Sequence, residues 1–275
     1  MKYELHCHSI HSKGSKIYWE GIMAPRQIPR ALKRMGFGGF ALTDHDTVAG
    51  LKEAELESRK LGMVFIPGIE IFTASGHLIG LGVRKPLKKG MPLGRALDAI
   101  HAEGGIAVAP HPFDLRGEGV GEESSRADAI EAFNSLNLTR FENYVACKYA
   151  RRLGMPIVGG SDAHSPEMLG RTINHIEAHD ADSAIEQIVK GKVDVEGRYI
   201  RIPDVVSWAR ERMRLSERQI LSYIDMNYSA PKAWISRILM RKFISSGSSA
   251  WLAPAYLAVG SAVLYSAARI AADAA

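Results

Sequence analysis

Histidine and carboxylate side chains recur along this chain in five short clusters: His6-Cys7-His8, Thr43-Asp44-His45-Asp46, Gly68-Ile69-Glu70, Pro110-His111-Pro112 and Ser161-Asp162-Ala163-His164. Successive side chains of a β-strand point to opposite faces, so on a strand His6 and His8 share a face and Cys7 points away. Two imidazoles on one face, joined by His, Asp and Glu from other strand ends, form the donor set of a multinuclear metal centre. Cations held this way lower the pKa of a bound water from about 15.7 toward about 7. The chemistry indicated is metal-dependent hydrolysis.

The elements that must position these clusters alternate between strand-like and helix-like segments through the first 200 residues. Strands are expected at Tyr3 to His8, Phe40 to Thr43, Met63 to Phe72, His77 to Val83, Ile106 to Ala109, Ala129 to Phe133, Ile157-Val158 and Thr172 to Glu177. Helices are expected at Pro25 to Met35, Val48 to Leu61, Leu93 to Glu103, Leu138 to Leu153 and Asp182 to Lys190, several of them stopped by a following glycine. Asp44/His45, Glu70, His111 and Asp162/His164 each fall at or just past the C-terminal end of a strand. In barrels of the TIM type, active sites are built on that face.

The chain has 275 residues, enough for one barrel plus an extension. Its net charge of +5 is unevenly placed: Arg201 to Lys242 holds nine basic and four acidic residues, the rest of the tail balances, and so residues 1–200 sum to zero. A neutral barrel argues against a broad nucleic-acid platform. The two cysteines, Cys7 and Cys147, make no disulfide framework, and Cys7 reads as a small buried residue between ligands. No signal peptide is read at the N-terminus, and a cytoplasmic setting fits the cysteine usage. Pro203 to Lys242 reads as one or two basic amphipathic helices, followed by a Ser245 to Ser249 linker. Ala250 to Ala268 lacks Asp, Glu, Lys and Arg. Residues 250–268 therefore either pack as a buried helix or associate with a membrane, tethering the protein to its inner face.

The order and spacing of these elements resemble the PHP (polymerase and histidinol phosphatase) family over roughly residues 1–200. The matching elements are His6-x-His8, Thr43-Asp44-His45-Asp46, Glu70, His77 in Gly76-His77-Leu78-Ile79-Gly80-Leu81-Gly82, His111 in Ala109-Pro110-His111-Pro112, and Ser161-Asp162-Ala163-His164. Any one of them is weak, but the ordered set is specific. The resemblance implies an α/β fold, a distorted (β/α)7 TIM-like barrel at 1–200; residues 201–275, which it does not cover, read as a C-terminal helical extension. It implies two or three divalent metal ions, Zn, Mn or Fe. Carried over by position, His6, His8, Glu70 and Asp162 would hold the first, Glu70 with His77 and His111 the second, and His45 with His164 the third. The family carries an Asp or His five or six residues after the second histidine, where this chain has Lys13 and Gly14. Either the site is dinuclear or nearby His11 completes a variant third site.

The resemblance also implies phosphoester hydrolysis, with a hydroxide between two metals as nucleophile. The expected catalytic residues are Asp162, a ligand and proton acceptor, His164, a proton donor where not metal-bound, and Asp44. Asp44 and Asp46 are expected to orient ligating imidazoles. Arg116, Arg171 and Lys13 are candidates for holding substrate phosphate. His101, and the pair His175/His179, read as packing or surface residues. The expected function is a phosphatase or phosphoesterase on a small phosphorylated metabolite or nucleotide. The alternatives are a 5'-3' exonuclease-type nucleic-acid hydrolase and a non-catalytic module of the same fold.

Overall fold

The computed structural model describes residues 1–14 and 17–273. Among the described residues nine strands form one sheet: β1 (Lys2–Glu4), β2 (Gly39–Leu42), β3 (Val64–Phe72), β4 (His77–Leu81), β5 (Ile106–Ala109), β6 (Ala129–Asn134), β7 (Ile157–Gly160), β8 (Thr172–His175) and β9 (Asp194–Gly197). Their spatial order is β7-β6-β5-β4-β3-β2-β1-β8-β9. Five helices, α1 (Gln27–Arg34), α2 (Leu51–Lys60), α3 (Leu93–Ala102), α4 (Arg140–Leu153) and α5 (Ala181–Val189), lie between strands. The result is the expected α/β barrel-like sheet with a helical C-terminal region.

The β/α alternation is broken where linkers are too short for a crossover. Only residues 73–76 join β3 to β4, so β4 runs antiparallel to both β3 and β5. The β8–β9 pair adds antiparallel strands beside β1. β9 is the unanticipated strand: its Asp-Val-Glu-Gly sequence is almost wholly exposed and shows no apolar alternation.

The barrel closes at the level of the histidines. Past the end of β1, Cys7 pairs in parallel with Ala163, beyond the end of β7. There the Asp162 N–H donates to His6 O and the His8 N–H to Ala163 O, both at 2.9 Å. Lower down, Asn174 on β8 seals the seam with its side chain, accepting from the Gly159 N–H (2.8 Å) and donating to Gly159 O (2.7 Å). Tyr3, Phe40, Leu42 and Ile66 are fully enclosed, each contributing about 1.5–3 kcal/mol relative to exposure. Cys7 is buried among Ile28, Leu32 and Phe40, with its thiol on Ala41 O, as its outward position on the strand requires. On α1 the stripe Ile28, Ala31, Leu32 faces that cluster at helical spacing.

The tail holds α6 (Ile202–Leu215), α7 (Glu217–Asn227), α8 (Ala230–Ser245) and α9 (Leu252–Asp273). Where one or two helices were expected before Lys242 there are three. The chain breaks at Ser216 and again before Pro231, a residue suited to a helix start. No single helix among the described residues is long and apolar enough to cross a membrane, so 250–268 does not qualify by itself. Residues Ala230–Ser245 and Ser249–Ser266 pass that test only as a pair, bent by 119°.

Candidate metal centre

Backbone pairing continues past the strand ends and sets the register of the site. The Glu70 N–H donates to Asp44 O (3.2 Å) and the Asp46 N–H to Glu70 O (2.8 Å), which puts His45 beside Glu70. The non-glycine residues with left-handed φ among the described residues are Asp46 (53°), His111 (29°) and Asp162 (53°). All three lie where a strand runs out into the cluster, a placement typical of strained backbone at functional sites.

Four donor atoms face one another at the barrel's centre. His6 Nε2 and His8 Nε2 are 3.1 Å apart, and Glu70 Oε2 lies 3.2 and 3.3 Å from them. Asp162 Oδ1 lies 3.5 and 3.3 Å from the same two nitrogens. Tetrahedral coordination with bonds of about 2.0–2.1 Å needs donors roughly 3.3–3.4 Å apart, close to the spacing within the His6, His8 and Glu70 triad.

The tautomers agree. Glu131 Oε1, a pure acceptor, takes a hydrogen bond from His6 Nδ1 at 2.9 Å. Ser12 Oγ spends its one proton on Asp44 Oδ1 (2.9 Å), so His8 Nδ1, 2.9 Å away, must donate to it. Both Nε2 atoms are thereby left as facing lone pairs, which repel unless a cation or a proton sits between them. His164 Nδ1 is committed to Asp162 O at 2.8 Å, and its buried Nε2 has no hydrogen-bond partner among the described residues. His45 Nδ1 lies 3.2 Å from Glu70 Oε2 but is misaligned for a hydrogen bond. Around the other carboxylate oxygen, His77 Nδ1 and His111 Nε2 lie 2.8 and 3.2 Å from Glu70 Oε1. The triads with mutually close donors are His6/His8/Glu70, His45/Glu70/His77 and His8/His45/His164. The residues fit a metal centre.

Electrostatics point the same way. Burial by itself would lift the Glu70 carboxyl, but His45, His6 and His77 hold it well below the usual carboxylate range. Burial likewise opposes ionisation of Asp162, and His6, His8 and His164 overcome it. Burial disfavours the imidazolium of His6, yet Asp162, Glu131 and Glu70 raise its pKa well above normal. His8 is pushed up to about 9 against burial by Asp162 and Glu70. His45 and His164, where burial prevails, stay neutral. A strongly anionic pair among buried imidazoles is a site built to take positive charge.

The structure thus brings together His6, His8, His45, Glu70, His77, His111, Asp162 and His164. Arg116 joins them at the pocket wall, with Nη2 3.7 Å from Asp162 Oδ2 and Nε on Asp114 and Glu118.

Several expected residues fall elsewhere. Arg171 binds Asp204 (3.0 Å) and Glu167 O, tying the loop after β7 to α6, so it is not at the site. Lys13 donates to Ile10 O at 2.6 Å and lies 3.2 Å above the Trp19 ring, away from the donors. His11 packs toward Gly50, and it is no ligand in the cluster. Asp44 touches no imidazole: it accepts from Ser9 N–H, Ser9 Oγ and Ser12 Oγ, and acts on His8 only through Ser12. Asp46 accepts from the Phe72 N–H and pairs with Lys89. A direct catalytic or imidazole-orienting contact is therefore corrected for both.

Sequence reading missed Glu131, Ser12, Glu20 and Trp208. Glu131 orients His6 through Oε1 and through Oε2 accepts from the His111 N–H and Asn134 Nδ2, both at 2.8 Å. Its signal was a lone acid inside the apolar run of β6. Trp208 of α6 packs 5.1 Å from the His164 ring and lines the pocket. The space enclosed is small, about 30 Å³.

A family model described as PHP-associated matches residues 140–193. An uncharacterized protein of Methanocaldococcus jannaschii is 30% identical over 153 residues, spanning 53% of this chain and 89% of its own. A 5'-3' exoribonuclease of Haemophilus influenzae is 32% identical over 111 residues, 39% of this chain and 38% of that enzyme, so the chain spans well under half of its length. A two-domain Bacteroides vulgatus structure containing a predicted PHP-like metal-dependent phosphoesterase superposes with a TM-score of 0.58 at 17% identity, covering 72% of this chain and 65% of that one.

Proposed function

The chain belongs to the PHP family of metal-dependent phosphoesterases, and we propose that it hydrolyses the phosphate ester of a small phosphorylated metabolite or nucleotide. The facing Nε2 atoms of His6 and His8, bracketed by Glu70 and Asp162, carry this reading. His6, His8, Glu70 and Asp162 would hold one ion, Glu70 with His77 and His111 a second, and His45 with His164 a third. Mixed imidazole and carboxylate donors suit Zn, Mn or Fe. Bound metal supplies Lewis acidity toward the phosphoryl oxygens and lowers the pKa of water.

The chain's own residues do the rest. Glu131 and Ser12 fix the tautomers of His6 and His8. Arg116 places a guanidinium where the non-reacting oxygens of the phosphate would lie. Trp208 and Leu136 give the mouth an apolar wall that excludes water and takes the alcohol part of the ester. In this reading residues 1–200 carry the donors and 201–275 close the mouth through α6.

The test is turnover of an aryl phosphate, a nucleoside bisphosphate and a 5'-phosphorylated oligoribonucleotide, with and without added Mn or Zn. Metal-dependent release of phosphate from the small esters, lost in His8→Ala and Asp162→Ala, is expected. Cleavage confined to the oligonucleotide would replace this reading with the exonuclease one. No turnover and no bound metal would leave a non-catalytic module.

A further inference from the structure

Position 13 or 14 should supply an acid or imidazole to the third ion, and neither Lys13 nor Gly14 can. The structure shows what stands in that place. The chain folds back in a hairpin: Lys13 pairs antiparallel with Trp19, the Gly14 N–H donates to Tyr18 O (3.1 Å) and the Glu20 N–H to Ser12 O (3.3 Å). This register sets Glu20 opposite Ser12. The return arm is pinned at the centre, since the Ile22 N–H donates to His164 O at 3.0 Å. From α6, Trp208 Nε1 donates to Glu20 O at 2.8 Å.

The Glu20 side chain then turns inward. Its Oε2 lies 3.6 Å from His45 Nε2, and it shares the pocket wall with His164, whose buried Nε2 is unpartnered among the described residues. A Cβ built on Gly14 would come within 3.3 Å of that same Oε2. The volume that a side chain at position 14 would enter is thus occupied by Ile17 O (2.5 Å), Arg212 Nη2 (2.8 Å) and the Glu20 carboxylate. Lys13 leaves by the other face of the hairpin arm, onto the Trp19 ring. His45 presents Nδ1 to Glu70 and Nε2 to Glu20.

We propose that Glu20, delivered by the segment 18–20 that pairs back on 12–14, is the carboxylate ligand of a third metal ion held with His45 and His164. The inference rests on the metal-hydrolase reading above. It makes the centre trinuclear and assigns α6 a share in it, because Trp208 and Arg212 hold the Glu20 segment, with Arg212 Nη2 3.6 Å from Oε1.

The experiment counts ions. The full chain is stripped with chelator, reloaded with Mn(II), desalted and analysed by elemental mass spectrometry beside Glu20→Gln and Glu20→Asp, with melting of each metal-free protein as the folding control. Three ions in the wild type, two in Glu20→Gln and an unchanged metal-free melt are expected. Glu20→Asp should keep the third ion with affinity weakened about tenfold, the scale on which metal-site perturbations act. Equal counts in wild type and Glu20→Gln overturn the inference. So does loss of every ion with a lowered melt, which marks a purely structural residue. A wild type that binds two ions and turns over aryl phosphate overturns the inference and leaves the proposed function intact; one that binds none overturns both.

Discussion

Replacing Glu131 by Gln changes one atom of a fully buried side chain, and its consequence follows from counting donors. Glu131 Oε1 takes the His6 Nδ1 hydrogen bond, while Oε2 takes two, from the His111 N–H and Asn134 Nδ2. Asn134 cannot turn over to adapt, because its Oδ1 accepts from the Leu136 N–H at 2.8 Å. A Gln has a single acceptor oxygen. Aimed at His6, it would strand two buried donors. Aimed at His111 and Asn134, it strands only the second N–H of the new amide, provided His6 changes tautomer and accepts from the first. The second arrangement wins, since each unsatisfied buried donor costs about 1–3 kcal/mol. His6 then carries its proton on Nε2, the atom that faces His8 and Glu70. Metal affinity is expected to fall about 10- to 100-fold, or about 1.4–2.7 kcal/mol, with little change in the metal-free melt. Competition against a fluorescent chelator measures it. Wild-type affinity in Glu131→Gln would refute the tautomer argument.

Gly160→Ala places a Cβ 1.8 Å from Glu131 Oε1 and 2.6 Å from His6 Cβ, so this variant is expected to lose metal and soluble expression together; a normal metal count in Gly160→Ala would show that the seam is looser than described. Leu32→Ala on α1 removes a fully enclosed side chain and should cost about 2–5 kcal/mol in urea unfolding; a loss near zero would mean the site collapses freely. Tyr3 is pushed up to about 12 by burial and by Asp180, while its hydroxyl donates to Ala178 O. The folded state therefore holds the phenol proton more tightly than the unfolded chain. This stabilisation is complete below pH about 10 and is lost as pH rises toward 12, so Tyr3→Phe should flatten the alkaline fall in stability. An identical alkaline profile in Tyr3→Phe would remove Tyr3 as its source.

The parts of the site legible in the sequence are those whose chemistry and placement coincide. His6, His8, His45, Glu70, His111 and His164 are residue types with few bland roles at strand ends, and strand ends are where a barrel gathers side chains. The residues misplaced by sequence are those whose charge is as useful to structure as to chemistry. Arg171 and Lys13 were satisfied locally, one by Asp204 and one by an indole face, and nothing in their neighbours along the chain distinguishes these uses. Asp44 shows the limit in another way. It does serve the site, but two bonds removed, through a Ser12 hydroxyl whose single proton decides which nitrogen of His8 is free. Directional hydrogen bonding of this kind depends on three atoms brought together by folding, so spacing alone cannot reveal it.

Glu20 and Trp208 lay further out of reach, because each depends on a tertiary event. Glu20 enters only because a hairpin reverses the chain. Trp208 enters only because α6 packs back over the mouth with its indole on Glu20 O. A tail read by its charge pattern looked like an appendage, yet one turn of it forms part of the pocket wall. The surplus basic charge of that tail has a local use as well: Arg212 lies 4.7 Å from the Trp208 ring and donates to Trp19 O at 3.0 Å. Removing α6 should therefore open the centre to water and release the Glu20 arm together, which joins the extension to the chemistry by contact rather than by sequence proximity.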